Sequence, residues 1–166
     1  MNREIVVRVE RITSVIFFVL GLVSVGLALG AEVLGLDLTP GFGMVQMLQV
    51  LVGLTLLTMA GFLRIHSLRA ADAPRSLQAD IGVRLGATGL VFAYTLGWAD
   101  LIGIGTHVNP DFERPFVGPL QLGGLILGMV MIMAGIVLYY TSRGTRQTSA
   151  LESLLPNGSR DESLAK

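Results

Sequence analysis

Two carboxylates occupy matching places in this sequence, and their placement could support ion or proton chemistry. Glu32 lies in an Ala-Glu-Val-Leu-Gly stretch at 31–35 and Asp100 in an Ala-Asp-Leu-Ile-Gly stretch at 99–103, each directly after a long apolar segment. An ionised group at membrane depth is costly and often functional, and two carboxylates that meet could share a proton or a cation. The end of a membrane helix is also close to water and headgroups, so a structural role or a partner contact stays open.

Two glutamines occupy a second matched position. The spacing Pro-x-x-Gly-x-x-Gln occurs twice, at Pro40, Gly43 and Gln46 and again at Pro115, Gly118 and Gln121. Both glutamines would lie a turn or two inside the outer membrane interface, where an amide can hydrogen-bond across helices for about 1 kcal/mol. We interpret Gln46 and Gln121 as contacts between helices, with a ligand-facing role as the alternative.

The other residue types that carry chemistry do not form a recognisable site. The two histidines, His66 and His107, lie in different loops, and the absence of cysteine excludes thiol redox chemistry and cysteine-held iron–sulfur clusters in this chain. We find no nucleophile motif, phosphate-binding loop or zinc-hydrolase signature. We therefore expect no enzyme activity, no cofactor, no metal site and no nucleic-acid partner.

These residues must be positioned by membrane helices. Of the 166 residues, 52% are apolar and 14% are charged, whereas a soluble domain usually carries about 25% charged residues. The apolar residues fall in four segments, at about 12–30, 44–65, 83–102 and 119–140. Each has roughly the 20 residues that a helix needs to cross a hydrocarbon core of about 30 Å. The sequence predicts an all-α membrane protein with four transmembrane helices and excludes a soluble enzyme.

The distribution of basic residues predicts the orientation. Eleven arginines and lysines lie in the N-terminal segment, the 66–82 loop with its flanks and the C-terminal tail, and Arg114 alone lies on the other side. By the positive-inside rule both termini are cytoplasmic. We predict a cytoplasmic N-terminus (1–11), a first hairpin (12–65), a basic cytoplasmic loop (66–82), a second hairpin with a longer outer loop (83–140) and a mobile cytoplasmic tail (141–166), in a bacterial inner (plasma) membrane.

The chain also repeats itself. Residues 21–23 and 31–36 recur at an offset of 68, as residues 89–91 and 99–104, and after the outer loop the offset becomes 75. This pattern predicts two tandem hairpins that arose by duplication and run in the same direction, which relates them by a pseudo-twofold axis along the membrane normal. We expect a symmetric four-helix unit in which equivalent features meet near that axis.

Glycines with the spacing of closely packed membrane helices occur three times. The pairs predicted to pack helices are Gly26 with Gly30, Gly82 with Gly86, and Gly124 with Gly128.

The start of the second apolar segment resembles a known family. Residues 40–43 read Pro-Gly-Phe-Gly, which is similar to the Gly-Pro-Gly-aromatic-Phe-Pro stretch of the small four-helix membrane subunit of tripartite tricarboxylate transporters. Thr39 stands in place of the leading glycine, and the closing Phe-Pro is missing. The resemblance implies a four-helix membrane subunit of a transporter and assigns no functional residue.

We expect a non-enzymatic integral membrane protein that is an accessory or assembly subunit of a larger membrane complex. Its partners would be the lipid bilayer and other membrane subunits or further copies of itself. The alternative is a small auxiliary subunit of a secondary transporter, in which Glu32 and Asp100 handle an ion or a proton.

The predicted orientation can be tested by labelling, because the chain has no native cysteine. Asp111→Cys, in the second outer loop, should react with a membrane-impermeant maleimide in intact cells. Asp72→Cys, in the basic loop, should react only after the cells are permeabilised. Labelling of position 111 from the cytosolic side alone would contradict the orientation.

Overall fold

A computed structural model describes residues 3–35, 42–69, 76–99 and 118–142, and all regular structure in these ranges is helical. The four helices are α1 (Arg3–Gly30), α2 (Met44–Ser67), α3 (Leu77–Gly97) and α4 (Pro119–Thr141). Helices α2 and α4 begin at the predicted residues and end within two residues of the predicted ends. Helices α1, α2 and α4 are long and apolar enough to cross a membrane.

Two helices begin earlier than the predicted spans. Helix α1 starts at Arg3, and its 28 residues give a length of about 42 Å, which exceeds a hydrocarbon core of about 30 Å. Helix α3 starts at Leu77 because Ser76 caps it, and the Ser76 hydroxyl accepts a hydrogen bond from the Ala79 N–H at 3.1 Å. Its first two turns hold an ion pair between Asp80 and Arg84 at 2.9 Å, and α3 is not among the helices that are apolar enough to cross a membrane by composition.

The helices form two tightly packed hairpins that are joined through one helix. Extensive contacts link α1 with α2 and α3 with α4, whereas α2 makes smaller contacts with both α3 and α4. Among the described residues, α1 touches neither α3 nor α4. A twofold axis between the hairpins would turn each α2–α3 contact into an α4–α1 contact. The symmetric four-helix unit expected from the repeat is therefore wrong for this part of the chain.

The buried side chains lie where α2 meets the second hairpin. At one end, Met47 and Leu51 of α2 are fully buried and pack with Ala93 and Leu125. A second cluster, at the other end of the same helices, contains Ile65, Ala79 and Tyr139. These two clusters fix how α2 lies against α3 and α4.

Within each hairpin the two helix backbones touch at glycines, at one pair in the first hairpin and at two pairs, Gly89–Gly128 and Gly82–Gly135, in the second. A Cβ atom added to Gly21 would lie 2.9 Å from the carbonyl oxygen of Gly53, and the reverse distance is also 2.9 Å. In the second hairpin the same relation holds between Gly89 and Gly128, at 2.6 and 2.7 Å. No side chain fits at these points, so glycine is what allows the helices to cross so closely.

The predicted packing glycines divide into two groups. Gly82, Gly86, Gly124 and Gly128 all lie against a neighbouring helix, and a Cβ at any of them would collide with it. Gly26 has no atom within 4 Å of such a Cβ, and Gly30 approaches only Leu34 in the turn that follows its own helix. The predicted packing role of Gly26 and Gly30 therefore does not hold within one chain, because the α1–α2 contact uses Gly21 instead.

Alanine substitutions on α4 should separate the crossing glycine from an unconstrained one. Gly128→Ala should lower the free energy of unfolding by roughly 1–3 kcal/mol, because the new methyl overlaps the Gly89 backbone. Gly123→Ala is the matched control: nothing lies within 4 Å of its Cβ, and alanine favours a helix by about 1 kcal/mol over glycine. Unfolding by sodium dodecyl sulfate in mixed micelles measures both changes. Equal effects would contradict the backbone contact.

Candidate functional site

The matched glutamines complete the N-termini of the second helix in each hairpin. Gln121 Oε1 accepts a hydrogen bond from the Gly118 N–H at 2.8 Å, and Gln46 Oε1 accepts the equivalent bond from the Gly43 N–H. Both glutamines are buried, with 8% of Gln46 and 6% of Gln121 exposed. A capping box normally has two bonds, one to the side chain of the capping residue and one to the side chain three residues later. The capping residues here are glycines without a side chain, so only the bond to the glutamine can form. We had predicted a hydrogen bond across helices, but each Oε1 instead bonds to the start of its own helix.

The structure does not bring the two candidate carboxylates together. Glu32 lies in the turn that follows α1, and its side chain is exposed. Asp100 lies outside the described residues. Helices α1 and α3, which precede these two positions, do not contact each other in the described ranges. A shared proton or cation between Glu32 and Asp100 remains a prediction from the sequence.

A polar cluster that the sequence analysis missed lies at the ends of α2 and α4. The guanidinium of Arg69 stands 4.8 Å from the centre of the Tyr139 ring, a cation–π distance. Arg69 Nη2 also donates a hydrogen bond to Ser142 Oγ at 3.2 Å. Phe62 packs against Tyr139 edge to face, with 5.5 Å between ring centres. Sequence alone marked Arg69 only as a topology-setting charge, since nothing in its spacing indicates a contact 70 residues away.

A second polar contact joins the first hairpin at the same end. Nδ1 of His66, near the end of α2, lies 3.4 Å from both carboxylate oxygens of Glu10 on α1. Both residues belong to the end of the molecule that the arginine distribution places in the cytoplasm. This pair and the Arg69 cluster therefore tie three helices together near the predicted inner membrane surface.

An apolar groove runs beside these contacts, between α2 and α3. It has a volume of about 370 Å³ and is open to the side. Phe62 and Tyr139 line it next to the Arg69 cluster, and Val83 and Leu90 line it on α3. Its dimensions and mostly apolar walls, which also include His66, can accept a lipid chain or a side chain from a neighbouring helix.

No group of three or more histidine, aspartate or glutamate side chains lies together in the described ranges, so they offer no assembled metal site. Comparison of the chain with protein-family models, curated proteins and solved structures finds no match. Pro40 and Gly41, on which the resemblance to the transporter subunit rests, lie outside the described residues. That resemblance remains a prediction and carries no residue role.

Substitution of Gln121 tests whether its acceptor oxygen or its amide group matters. Gln121→Met should lower the free energy of unfolding by about 1 kcal/mol because the Gly118 N–H loses its partner. Gln121→Glu should be as stable as the native chain, since it keeps the acceptor and places a negative charge at a helix N-terminus. Titration with sodium dodecyl sulfate provides the measurement. If both variants lose the same stability, the amide NH2 and a bond to another group would be the important feature.

Proposed function

We propose that this chain is a non-enzymatic integral membrane protein, located in a bacterial inner membrane, that serves as an accessory or assembly subunit of a larger membrane complex. In this proposal α3 is a fourth transmembrane helix and both termini are cytoplasmic. Three helices that are long and apolar enough to cross a membrane support the membrane location.

Helix α3 is suited to a fourth span despite its charges. Its 21 residues give a length of about 31 Å, and it packs along α4, which is itself a candidate span. Asp80 and Arg84 form an ion pair near its first turns, where headgroups and water lower the cost of charge. The packing of α3 along α4 supports a place for α3 in the bilayer.

Duplication of one ancestral hairpin is supported by geometry as well as by sequence spacing. The crossing glycines Gly21 and Gly89 stand 68 positions apart, and their partners Gly53 and Gly128 stand 75 positions apart. The two glutamine caps keep the same offset of 75. The place where the glycines cross and the start of the second helix therefore match between the two halves of the chain.

The observation that carries the assembly role is the position of α1. It packs on α2 alone, and large side chains such as Phe18, Leu22 and Leu29 are more than half exposed. Gly26 leaves the backbone of the same helix accessible, since nothing lies within 4 Å of its Cβ position. Small residues of this kind allow a further helix to approach closely. A helix with one partner and an accessible backbone is typical of a subunit that contacts something else in the membrane.

The mass of the protein in native membrane fragments tests this role. Extraction with a disc-forming polymer, followed by native mass spectrometry, should give particles whose protein mass exceeds the 17.7 kDa of one chain. Particles that contain one chain alone, over a range of expression levels, would contradict an assembly role. In the same preparation Glu32→Gln with Asp100→Asn should leave the mass unchanged. Loss of an ion-coupled activity in that double variant would favour the transporter alternative.

A further inference from the structure

The contact between the two hairpins has a defined pattern of large and small residues. On α2 the contacting face contains Leu51, Thr55 and Phe62. The Phe62 ring lies over Gly86 of α3, so that a Cβ on this glycine would be 2.7 Å from it, and Leu51 lies against Gly97. Between these points, the Thr55 and Tyr94 hydroxyls share a hydrogen bond of 3.0 Å. Residue numbers rise along α2 as they fall along α3, so the two helices are antiparallel.

The α2 face has an equivalent on α4 that nothing covers. The offset of 75 carries Leu51, Thr55 and Phe62 to Ile126, Val130 and Val137, which lie on one side of α4. All three are about half exposed, at 49–57%. In the described ranges, α4 contacts α3 and α2 with its other sides. We call these three residues the α4 face.

The α3 face likewise has an uncovered equivalent on α1. The offset of 68 carries Gly86, Tyr94 and Gly97 to Phe18, Gly26 and Leu29. Phe18 and Leu29 are 53% and 66% exposed, and Gly26 is the glycine with open space around its Cβ position. We call these three residues the α1 face. Within the chain, α2 covers α3, but no described helix covers the α1 face.

At one of their three matched positions the two uncovered faces exchange a large and a smaller residue. Inside the chain a large residue on α2, Phe62, fits a glycine on α3. At the equivalent positions the large residue is Phe18 on α1 and the smaller one is Val137 on α4, so the bulk has moved to the opposite helix. The hydrogen-bonded Thr55 and Tyr94 are replaced by Val130 and Gly26, an apolar pair that needs no hydrogen bond. At the far end Leu29 replaces a glycine, which requires the helices to separate more there than α2 and α3 do.

We propose that the α4 face of one copy packs on the α1 face of a second copy of this chain, in the same way that α2 packs on α3. This inference rests on the proposed assembly role and duplication, and it names the partner. The packing is antiparallel, so both copies keep the same orientation in the membrane. The contact joins two different faces and is therefore heterologous, which generates a closed ring or an open row of chains.

Thiol cross-linking between two copies tests the contact directly. Gly26→Cys in one tagged copy and Val130→Cys in a differently tagged copy should be joined by a short bis-maleimide in native membranes, because these positions match Tyr94 and Thr55, whose side chains meet through a hydrogen bond of 3.0 Å. Gly26→Cys with Leu120→Cys is the control, since Leu120 is also exposed but lies ten residues, or about 15 Å, from Val130 along α4. Cross-linking of the first pair at least tenfold above the control supports the contact. Equal or absent cross-linking of the two pairs overturns it.

Changing the size of two side chains gives a second measurement, which does not depend on cross-linking. Val137→Phe should weaken association of the native chain about tenfold, because its ring meets Phe18 of the other copy. Adding Phe18→Ala should restore association, since the large residue then faces a small one as Phe62 faces Gly86. Both positions are exposed within one chain, so each variant should fold. Unchanged association in Val137→Phe, or no recovery in the double variant, would overturn the proposal.

Native mass spectrometry of the same membranes separates the two proposals. Particles that contain several copies of this chain agree with both. Particles that contain a different protein, with no Gly26–Val130 cross-link, overturn the contact between copies and leave the assembly role standing. Particles of one chain alone overturn both.

Discussion

The close contact between helix backbones at Gly21–Gly53 and at Gly89–Gly128 is the constraint on which the rest of this structure depends. In a bilayer, lipid tails solvate apolar side chains as well as a neighbouring helix does, so burial alone gives helices little reason to associate. Dispersion and weak Cα–H···O contacts then become important, and both require the helix axes to approach closely. Glycine permits that approach, and the helices of each hairpin meet where glycines face each other, in the second hairpin also at Gly82 and Gly135.

Contacts between the hairpins are of a different kind. They depend on side chains: the Thr55–Tyr94 hydrogen bond, the Phe62 ring over Gly86, and the stacking of Arg69 on Tyr139. Each of these contacts uses a residue of α2 or Arg69, which lies just after the end of α2, and none of them uses α1. The hairpin is therefore the closely packed unit of the molecule, and α2 is the element that decides how the second hairpin lies against the first.

The sequence predicted where the helices lie better than it predicted which helices contact each other. Hydropathy located α2 and α4 to within two residues, because the length of a span is set by the bilayer. The small-xxx-small pattern does not say which helix faces it, so Gly82–Gly86 and Gly26–Gly30 look alike in sequence but differ in the structure. The matched glutamines were found by spacing, but their bond to the helix N-terminus depends on where the helix begins. The role of Arg69 could not be predicted, since it depends on how α2 and α4 pack.

A repeated hairpin with only one kind of contact between its copies always leaves surfaces unused. If the first unit docks through its second helix onto the first helix of the next unit, a chain of two units retains a free docking face on α4 and a free receiving face on α1. Under the proposed duplication Phe18 matches Gly86 and Val137 matches Phe62, so in the proposed contact the larger residue would lie on α1 and the smaller one on α4. Contact with lipid places no condition on the sizes of Phe18 and Val137 relative to each other. A helix–helix contact does, because two large side chains at one level would hold the helices apart.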